Sequence, residues 1–160
     1  MKPVPVVIDL GGGFDPADGA INLERHGHYA ADIEIDLELE QLPFEDNSVD
    51  RAHATHVLEH IRNLIPLMND VHRVLKPAGW FIIEVPLFPS VGAMKDPTHV
   101  RYFVPESFDY FDRAWDYERK PDYGIQTWWV DTLVTDNTDP DYAVLRVSLR
   151  KPTNGEQLDG

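Results

Sequence analysis

The sequence predicts an α/β domain, a mostly parallel sheet finished by an antiparallel hairpin. Three observations predict it. An apolar run at 4–10, β-branched at Val6, Val7 and Ile8, stops on Gly11-Gly12-Gly13, as a strand buried on both faces does when it ends in a tight turn. A segment of helical period lies between strand-like runs, so strand, helix and strand alternate. Near the end, two longer strand-like runs flank the polar stretch Asp136-Asn137-Thr138-Asp139-Pro140-Asp141, which is hairpin turn chemistry.

Each element follows in order. Asp15-Pro16 and Asp18-Gly19 are turn signals after the first strand. Residues 20–23 form a short second strand. Ile33 and Ile35 alternate with acids and predict a third, ending near Asp36. The stretch 32–50 carries eight acids and no Lys or Arg, the pattern of a solvated rim. A fourth strand is expected over 49–55. Val57, Leu58, Ile61, Leu64, Ile65, Met68, Val71 and Leu75 then recur at spacings of three and four. Pro66 interrupts that run and is tolerated only in a first turn, which predicts a short helix over 57–61 and a second over 65–75. Lys76-Pro77-Ala78-Gly79 is a stop signal. A buried strand is predicted at 80–85, with Glu84 its one acid. A proline-rich loop follows at 86–98, then a short helix at 106–111. The hairpin strands are placed at 126–133 and 142–150.

Composition narrows the function. The chain has 160 residues, enough for one domain with its own core; that domain is placed at 1–151, with a disordered tail at 152–160. With 14 basic and 28 acidic residues the net charge is −14, which argues against nucleic acid or an anionic membrane surface as partner. There is no cysteine, which excludes disulfides, thiolate metal sites and Cys nucleophiles. The start, Met1-Lys2-Pro3-Val4-Pro5, is too broken for a signal peptide, and no apolar stretch is long enough to span a membrane. A cytoplasmic protein is expected; the oligomeric state is not legible.

In a mostly parallel sheet, ligands bind at the carboxyl ends of the strands, where strand order reverses. The residues to weigh are therefore 11–14, Glu24, Asp36-Leu37, Thr55-His56 and the loop from Pro86 onward.

At these positions the chain resembles the class I S-adenosylmethionine-dependent methyltransferases, and within them the compact type 11 group. Val7-Ile8-Asp9-Leu10-Gly11-Gly12-Gly13 is similar to the first motif of that family. Leu42-Pro43-Phe44-Glu45-Asp46-Asn47-Ser48-Val49-Asp50 resembles its entry to the fourth strand. His56-Val57-Leu58-Glu59-His60-Ile61 and Arg73-Val74-Leu75-Lys76-Pro77-Ala78-Gly79 resemble the following helix and the turn into the fifth strand. The resemblance covers about residues 5–150. It implies a Rossmann-like fold with S-adenosyl-L-methionine as cofactor and S-adenosyl-L-homocysteine as product. The cofactor-binding residues it implies are Asp9, Gly11, Gly12, Gly13, Glu24, Asp36, Leu37 and His56. The glycines would let the backbone approach the amino acid moiety. Glu24 would accept from the ribose hydroxyls, and Asp36 and Leu37 would hold the adenine. Asp9 would order the glycine loop or meet the cofactor ammonium. Outside the resemblance, Glu24 reads as a surface acid and Asp36 as one more acid of the rim.

Two departures from the family pattern stand out. About ten residues separate Gly13 from Glu24, and Pro16 and Gly19 lie among them, so the first crossover helix is expected to be missing or one turn long. Glu24 also replaces the more usual Asp.

His56 and His99 are the catalytic candidates, one after the fourth strand and one in the loop after the fifth. Each otherwise reads as a loop-ordering or surface histidine. His99 lies in Asp96-Pro97-Thr98-His99-Val100-Arg101-Tyr102-Phe103, which mixes polar tips with aromatic walls. Trp128 reads as core. His56-x-x-Glu59-His60 also matches an inverted zinc-hydrolase pattern, but the sequence shows no third ligand, so no metal is assigned. The chain lacks the Asn/Asp-Pro-Pro-aromatic segment of base-methylating enzymes, which again argues against nucleic acid. The expected function is methyl transfer to a small-molecule or sugar-containing acceptor. The alternatives are a non-catalytic module on the same fold and, third, the zinc hydrolase.

Overall fold

The computed structural model describes residues 3–25, 29, 31–115 and 123–156; Met1, Lys2 and residues 157–160 of the expected tail lie outside them. Seven strands form one sheet: β1 (Val7–Leu10), β2 (Ile21–Glu24), β3 (Ile33–Glu34), β4 (Val49–Thr55), β5 (Leu75–Pro86), β6 (Trp129–Asp136) and β7 (Val144–Arg150). Their order is β3-β2-β1-β4-β5-β7-β6. The first five pair in parallel, and β7 runs antiparallel to both β5 and β6. The chain leaves β1 in one direction and β4 extends the sheet in the other, so strand order reverses between β1 and β4. A ligand crevice belongs at the carboxyl ends of those two strands.

β1 starts later than the apolar run suggests because Pro3 and Pro5 cannot donate to a ladder and Val4 is exposed. Val6 is held instead by Asp50, whose Oδ2 accepts from Val6 N at 2.8 Å. Ile8, Asp9 and Leu10 are all buried. Between Gly13 and Ile21 there are turns and no helix, as the short spacing predicts. β3 is only two residues long.

Helix α1 (Leu64–Val74) buries Leu64, Leu67, Met68, Val71 and Val74 along one face, which is the stripe the spacing predicts. Pro66 falls in its first turn, where no intrahelical donor is lost. The helix expected at 57–61 is a single 3-10 turn, Leu58–His60. Arg73 fastens α1 to the loop before β4. Its guanidinium donates to the carbonyls of Leu42 and Phe44 at 3.0 and 2.8 Å and to the carboxylates of Asp46 and Asp70 at 2.9 and 2.7 Å. Asp70 in turn accepts from Leu42 N at 2.6 Å. Lys151 caps the far end of α1 through the carbonyls of His72 and Leu75.

β5 begins earlier than expected. Leu75 pairs with Val49 and Trp80 with Arg51, so residues 76–79 bulge out of the ladder. Ala78 has φ +64°, and a Cβ on Gly79 would stand 2.8 Å from the Lys76 carbonyl, which reserves that position for glycine. After β5 come a short helix α2 (Val91–Met94) and a 3-10 turn at Pro105–Phe108 in place of the helix expected at 106–111. β6 lies about three residues further on than its predicted place, because its register against β7 runs from Trp129 opposite Arg150 to Asp136 opposite Val144. Trp128 is fully buried, edge-on to His72 with ring centroids 4.8 Å apart. Glu156, within the stretch read as a tail, accepts from both Nη atoms of Arg150 and from Thr153 N.

Candidate functional site

The loop after β1 is shaped by three side chains. Gly12 N donates to Asn22 Oδ1 at 3.1 Å, Gly13 N to Glu24 Oε1 at 2.5 Å and Ala17 N to Asp9 Oδ2 at 2.7 Å. All three acceptors sit on β1 or β2 and are buried. Sequence reasoning missed Asn22; the available signal was a polar residue inside a buried strand, which must have a partner. Burial raises the pKa of Asp9, opposed by the Ala17 N–H and by His53, which lies opposite it on β4. Its second oxygen, Oδ1, is buried and makes no hydrogen bond.

The three glycines have different reasons. Gly11 has φ +66°, and a Cβ there would fall 2.7 Å from Cγ2 of Val57. Gly12 would meet Pro16, Asn22 and Asp9 at 2.7–2.9 Å. Gly13 has φ +62° and nothing within 4 Å of where its Cβ would be. The backbone is therefore bare at Gly13, a surface on which a ligand can lie. Asp36 and Leu37 follow β3 one position beyond Ile35, whose N–H donates to the Glu24 carbonyl at 2.8 Å. Asp36 Oδ1 accepts from Glu38 N at 2.9 Å, and Oδ2 stands 3.5 Å from Arg25. Asp9, Asn22, Glu24 and the glycines are thus one cluster, with Asp36 and Leu37 on the neighbouring strand end.

Val57, which Gly11 touches, leads from that loop to His56 at the end of β4. His56 has φ +56° and donates its backbone N–H to the Glu84 carbonyl at 2.9 Å. Its Nδ1 lies 3.5 Å from Glu59 Oε1 and its Nε2 3.3 Å from Glu84 Oε1. The Glu59 carboxylate, with Glu84 adding to it, raises the His56 pKa against the effect of burial. The Glu59 contact is an ion-pair distance, too long for a good hydrogen bond.

His56 lines a cavity of about 320 Å³ together with Glu59, His60, Lys95, His99 and Tyr142. His99 comes from the loop after α2. Its side chain is buried, and Nδ1 sits 2.7 Å from the Ala93 carbonyl. A carbonyl only accepts, so Nδ1 carries the proton and the Nε2 lone pair is left over. The two catalytic candidates therefore share one cavity. The pairing implied by His56-x-x-Glu59-His60 is not what forms, because the helical turn begins only at Leu58, after His56, which turns toward Glu84. His60 faces His99 instead, with ring centroids 4.8 Å apart.

Among the described residues no helix is long and apolar enough to cross a membrane.

A family model for methyltransferase domains matches residues 13–83. One curated relative, the sterol 4-C-methyltransferase strm-1 of Caenorhabditis elegans, is 44% identical over 49 residues, 31% of this chain; the match spans only 15% of that protein's length. Among solved structures, a phosphoethanolamine N-methyltransferase of Haemonchus contortus bound to phosphoethanolamine and S-adenosylhomocysteine superposes with a TM-score of 0.65, at 13% identity over 97% of this chain and 41% of the other. A 1,6-didemethyltoxoflavin-N1-methyltransferase of Burkholderia thailandensis, with 1,6-didemethyltoxoflavin and S-adenosylhomocysteine bound, gives 0.64 at 13% identity over 93% of this chain and 72% of the other.

Proposed function

We propose that the chain is a class I S-adenosylmethionine-dependent methyltransferase, a reading supported by the methyltransferase-domain model that matches residues 13–83, and that it binds S-adenosylmethionine over the Gly11–Gly13 loop and methylates a small-molecule or sugar-containing acceptor held in the cavity of His56 and His99. The observation that carries the reading is the bare backbone at Gly13, where nothing lies within 4 Å of the place a Cβ would take. A cofactor with a backbone-hugging amino acid moiety fits that surface.

When bound, the cofactor supplies an electrophilic methyl group for in-line displacement. The chain's own residues do the rest. Asp9, Glu24, Asp36 and Leu37 hold the cofactor, and the glycines make room for it. The Nε2 lone pair of His99 accepts the proton that an acceptor hydroxyl or amine must lose, a contribution of roughly 10²–10⁴-fold. His56 stays protonated above the ordinary imidazole range because Glu59 faces it, so it orients an acceptor with negative charge. Holding acceptor and methyl in line supplies most of the acceleration.

Calorimetry with S-adenosylhomocysteine tests the cofactor half. Binding is expected, and Gly11→Val or Asp36→Ala is expected to abolish it. No binding at millimolar concentration sinks the proposal. A methylation screen against fractionated metabolites tests the second half; binding without turnover on any fraction would identify a non-catalytic module.

A further inference from the structure

We propose that Glu59, His60 and His99 form a site for one divalent transition-metal ion of the zinc class. One ligand atom from each residue lies within 4.8 Å of the other two. Donor atoms around a tetrahedral zinc at ~2.0–2.1 Å stand roughly 3.3 Å apart, so small side-chain rotations bring the three into coordination.

A second observation points to the ion independently. Glu59 is 2% exposed, and neither of its carboxylate oxygens has a hydrogen-bond partner. The nearest charged or titratable atoms are His56 Nδ1 at 3.5 Å and His99 Nε2 at 3.9 Å. An ionised carboxylate so placed is expensive unless something pairs it. His56 gives Glu59 an ion pair at 3.5 Å but no hydrogen bond to either oxygen, and a cation between Glu59 and the His60 and His99 imidazoles would supply the direct contacts that are missing.

The hydrogen-bond network also prepares both histidines as ligands. His99 spends its Nδ1 proton on the Ala93 carbonyl at 2.7 Å. Thr98 Oγ1 donates its one proton to Asp96 Oδ1 at 2.7 Å, so toward His60 Nδ1, 3.0 Å away, it can only accept. Each imidazole therefore carries its proton on Nδ1 and keeps the Nε2 lone pair. Outer partners that fix the tautomer in this way are a regular feature of histidine metal ligands. Val100 N, bonded to the Glu59 carbonyl at 2.9 Å, ties the His99 loop to the turn that carries the other two residues. The third ligand that the sequence pattern lacked comes from this loop.

Two imidazoles and a carboxylate suit zinc, cobalt or nickel rather than magnesium or calcium. All three residues line the 320 Å³ cavity, so the ion's remaining positions open into it. The site does not depend on the methyl-transfer reading. Where that reading also holds, His99 Nε2 would ligate the ion rather than take the acceptor's proton; an ion held there would lower the pKa of a bound acceptor hydroxyl, whose proton would pass to solvent through the open cavity.

The test uses the full chain, stripped with chelator and dialysed. Zinc is titrated by calorimetry, and cobalt by its visible absorption, both in millimolar magnesium. One ion per chain is expected, with intense tetrahedral cobalt bands. Glu59→Gln and His99→Ala should each weaken zinc by more than the ~10–100-fold that loss of an outer partner costs. His60→Ala, checked for fold by circular dichroism, serves if either of those fails to fold. Weak binding at several sites, displacement by magnesium, or affinity unchanged by the substitutions would show only the acidic surface at work and overturn the proposal. S-adenosylhomocysteine titrated into the same wild-type preparation keeps the two readings separate: zinc without cofactor binding fails only the methyltransferase proposal, and cofactor without zinc fails only this one.

Discussion

Substituting alanine at Gly12 and at Gly13 separates the two roles of the loop. At Gly12 the new Cβ would meet Pro16 Cβ, Asn22 Oδ1 and Asp9 Oδ2 at 2.7, 2.8 and 2.9 Å. All three are held by the fold, so the loop must move. Overpacking of that kind costs about 1–3 kcal/mol, and the bond from Gly12 N to Asn22 is worth about 1 kcal/mol more. A total of ~2–4 kcal/mol lowers Tm by roughly 5–15 °C in a domain of this size. At Gly13 nothing lies within 4 Å of the new Cβ, and only the strain of φ +62° remains, about 1 kcal/mol, or roughly 2–4 °C. Yet the open space at Gly13 is where the cofactor is proposed to lie. Gly12→Ala should therefore be the less stable protein, and Gly13→Ala the one that fails to gain Tm when S-adenosylhomocysteine is added. Thermal melts with and without saturating ligand read both effects at once. A Gly13→Ala protein that keeps the full ligand-induced shift would refute the placement, and a Gly12→Ala protein as stable as the parent would refute the steric argument.

Other expectations follow from the same contacts. Arg73→Ala leaves the Leu42 and Phe44 carbonyls and Asp70 Oδ1 without the Arg73 donor, while Asp70 Oδ2 keeps Leu42 N; urea melts should show a loss of about 2–3 kcal/mol, and Arg73→Lys should recover less than half because it cannot fork. His72 is held down to about 4, first by burial and then by Lys151, so the unfolded chain binds a proton that the folded chain refuses between pH 6.5 and about 4. Stability therefore falls as pH drops through that window, by about 1–2 kcal/mol once solvent screening is allowed for, and His72→Gln should flatten the slope. His56 runs the other way: its pKa is raised by Glu59 and Glu84, so its stabilising ion pairs are complete below pH 6.5 and vanish as pH rises through the raised value. His56→Gln should remove that alkaline decline in a series of urea midpoints.

The parallel sheet was legible because its strands announce themselves through burial: residues 7–10 and 80–85 are apolar but for Asp9 and Glu84, and the stripe from Leu64 to Val74 has one period. The missing crossover helix was legible from the family resemblance, the short spacing from Gly13 to Glu24, and Pro16 and Gly19 within it. What the sequence hid were features set by partners distant in the chain. β6 takes its register from β7, and residues 76–79 bulge because Leu75 and Trp80 pair with Val49 and Arg51, only two residues apart on β4; neither constraint is local. The glycine loop was read correctly as a turn, but Asn22 was passed over, since one polar residue in a four-residue strand carries no period. The helix at 57–61 failed for a related reason. Its apolar spacing is real, yet positive φ at His56 and the early start of a new helix at Leu64 leave room for one 3-10 turn.

The short crossover explains why so many buried polar groups crowd the first two strands. A crossover helix would order the loop after β1 through its own backbone hydrogen bonds. Here the crossover is turns, and the loop's donors at Gly12, Gly13 and Ala17 end on Asn22, Glu24 and Asp9 instead. Side chains from the sheet replace the helix as the template for the loop. Glu24 then serves two purposes, since the oxygen that holds Gly13 N belongs to the carboxylate proposed to face the ribose. Under the proposed cofactor placement, ligand binding and loop order would be coupled through that one residue. A Glu is suited to it where the shorter Asp is not, because the extra methylene lets the carboxylate reach back from the end of β2 to Gly13.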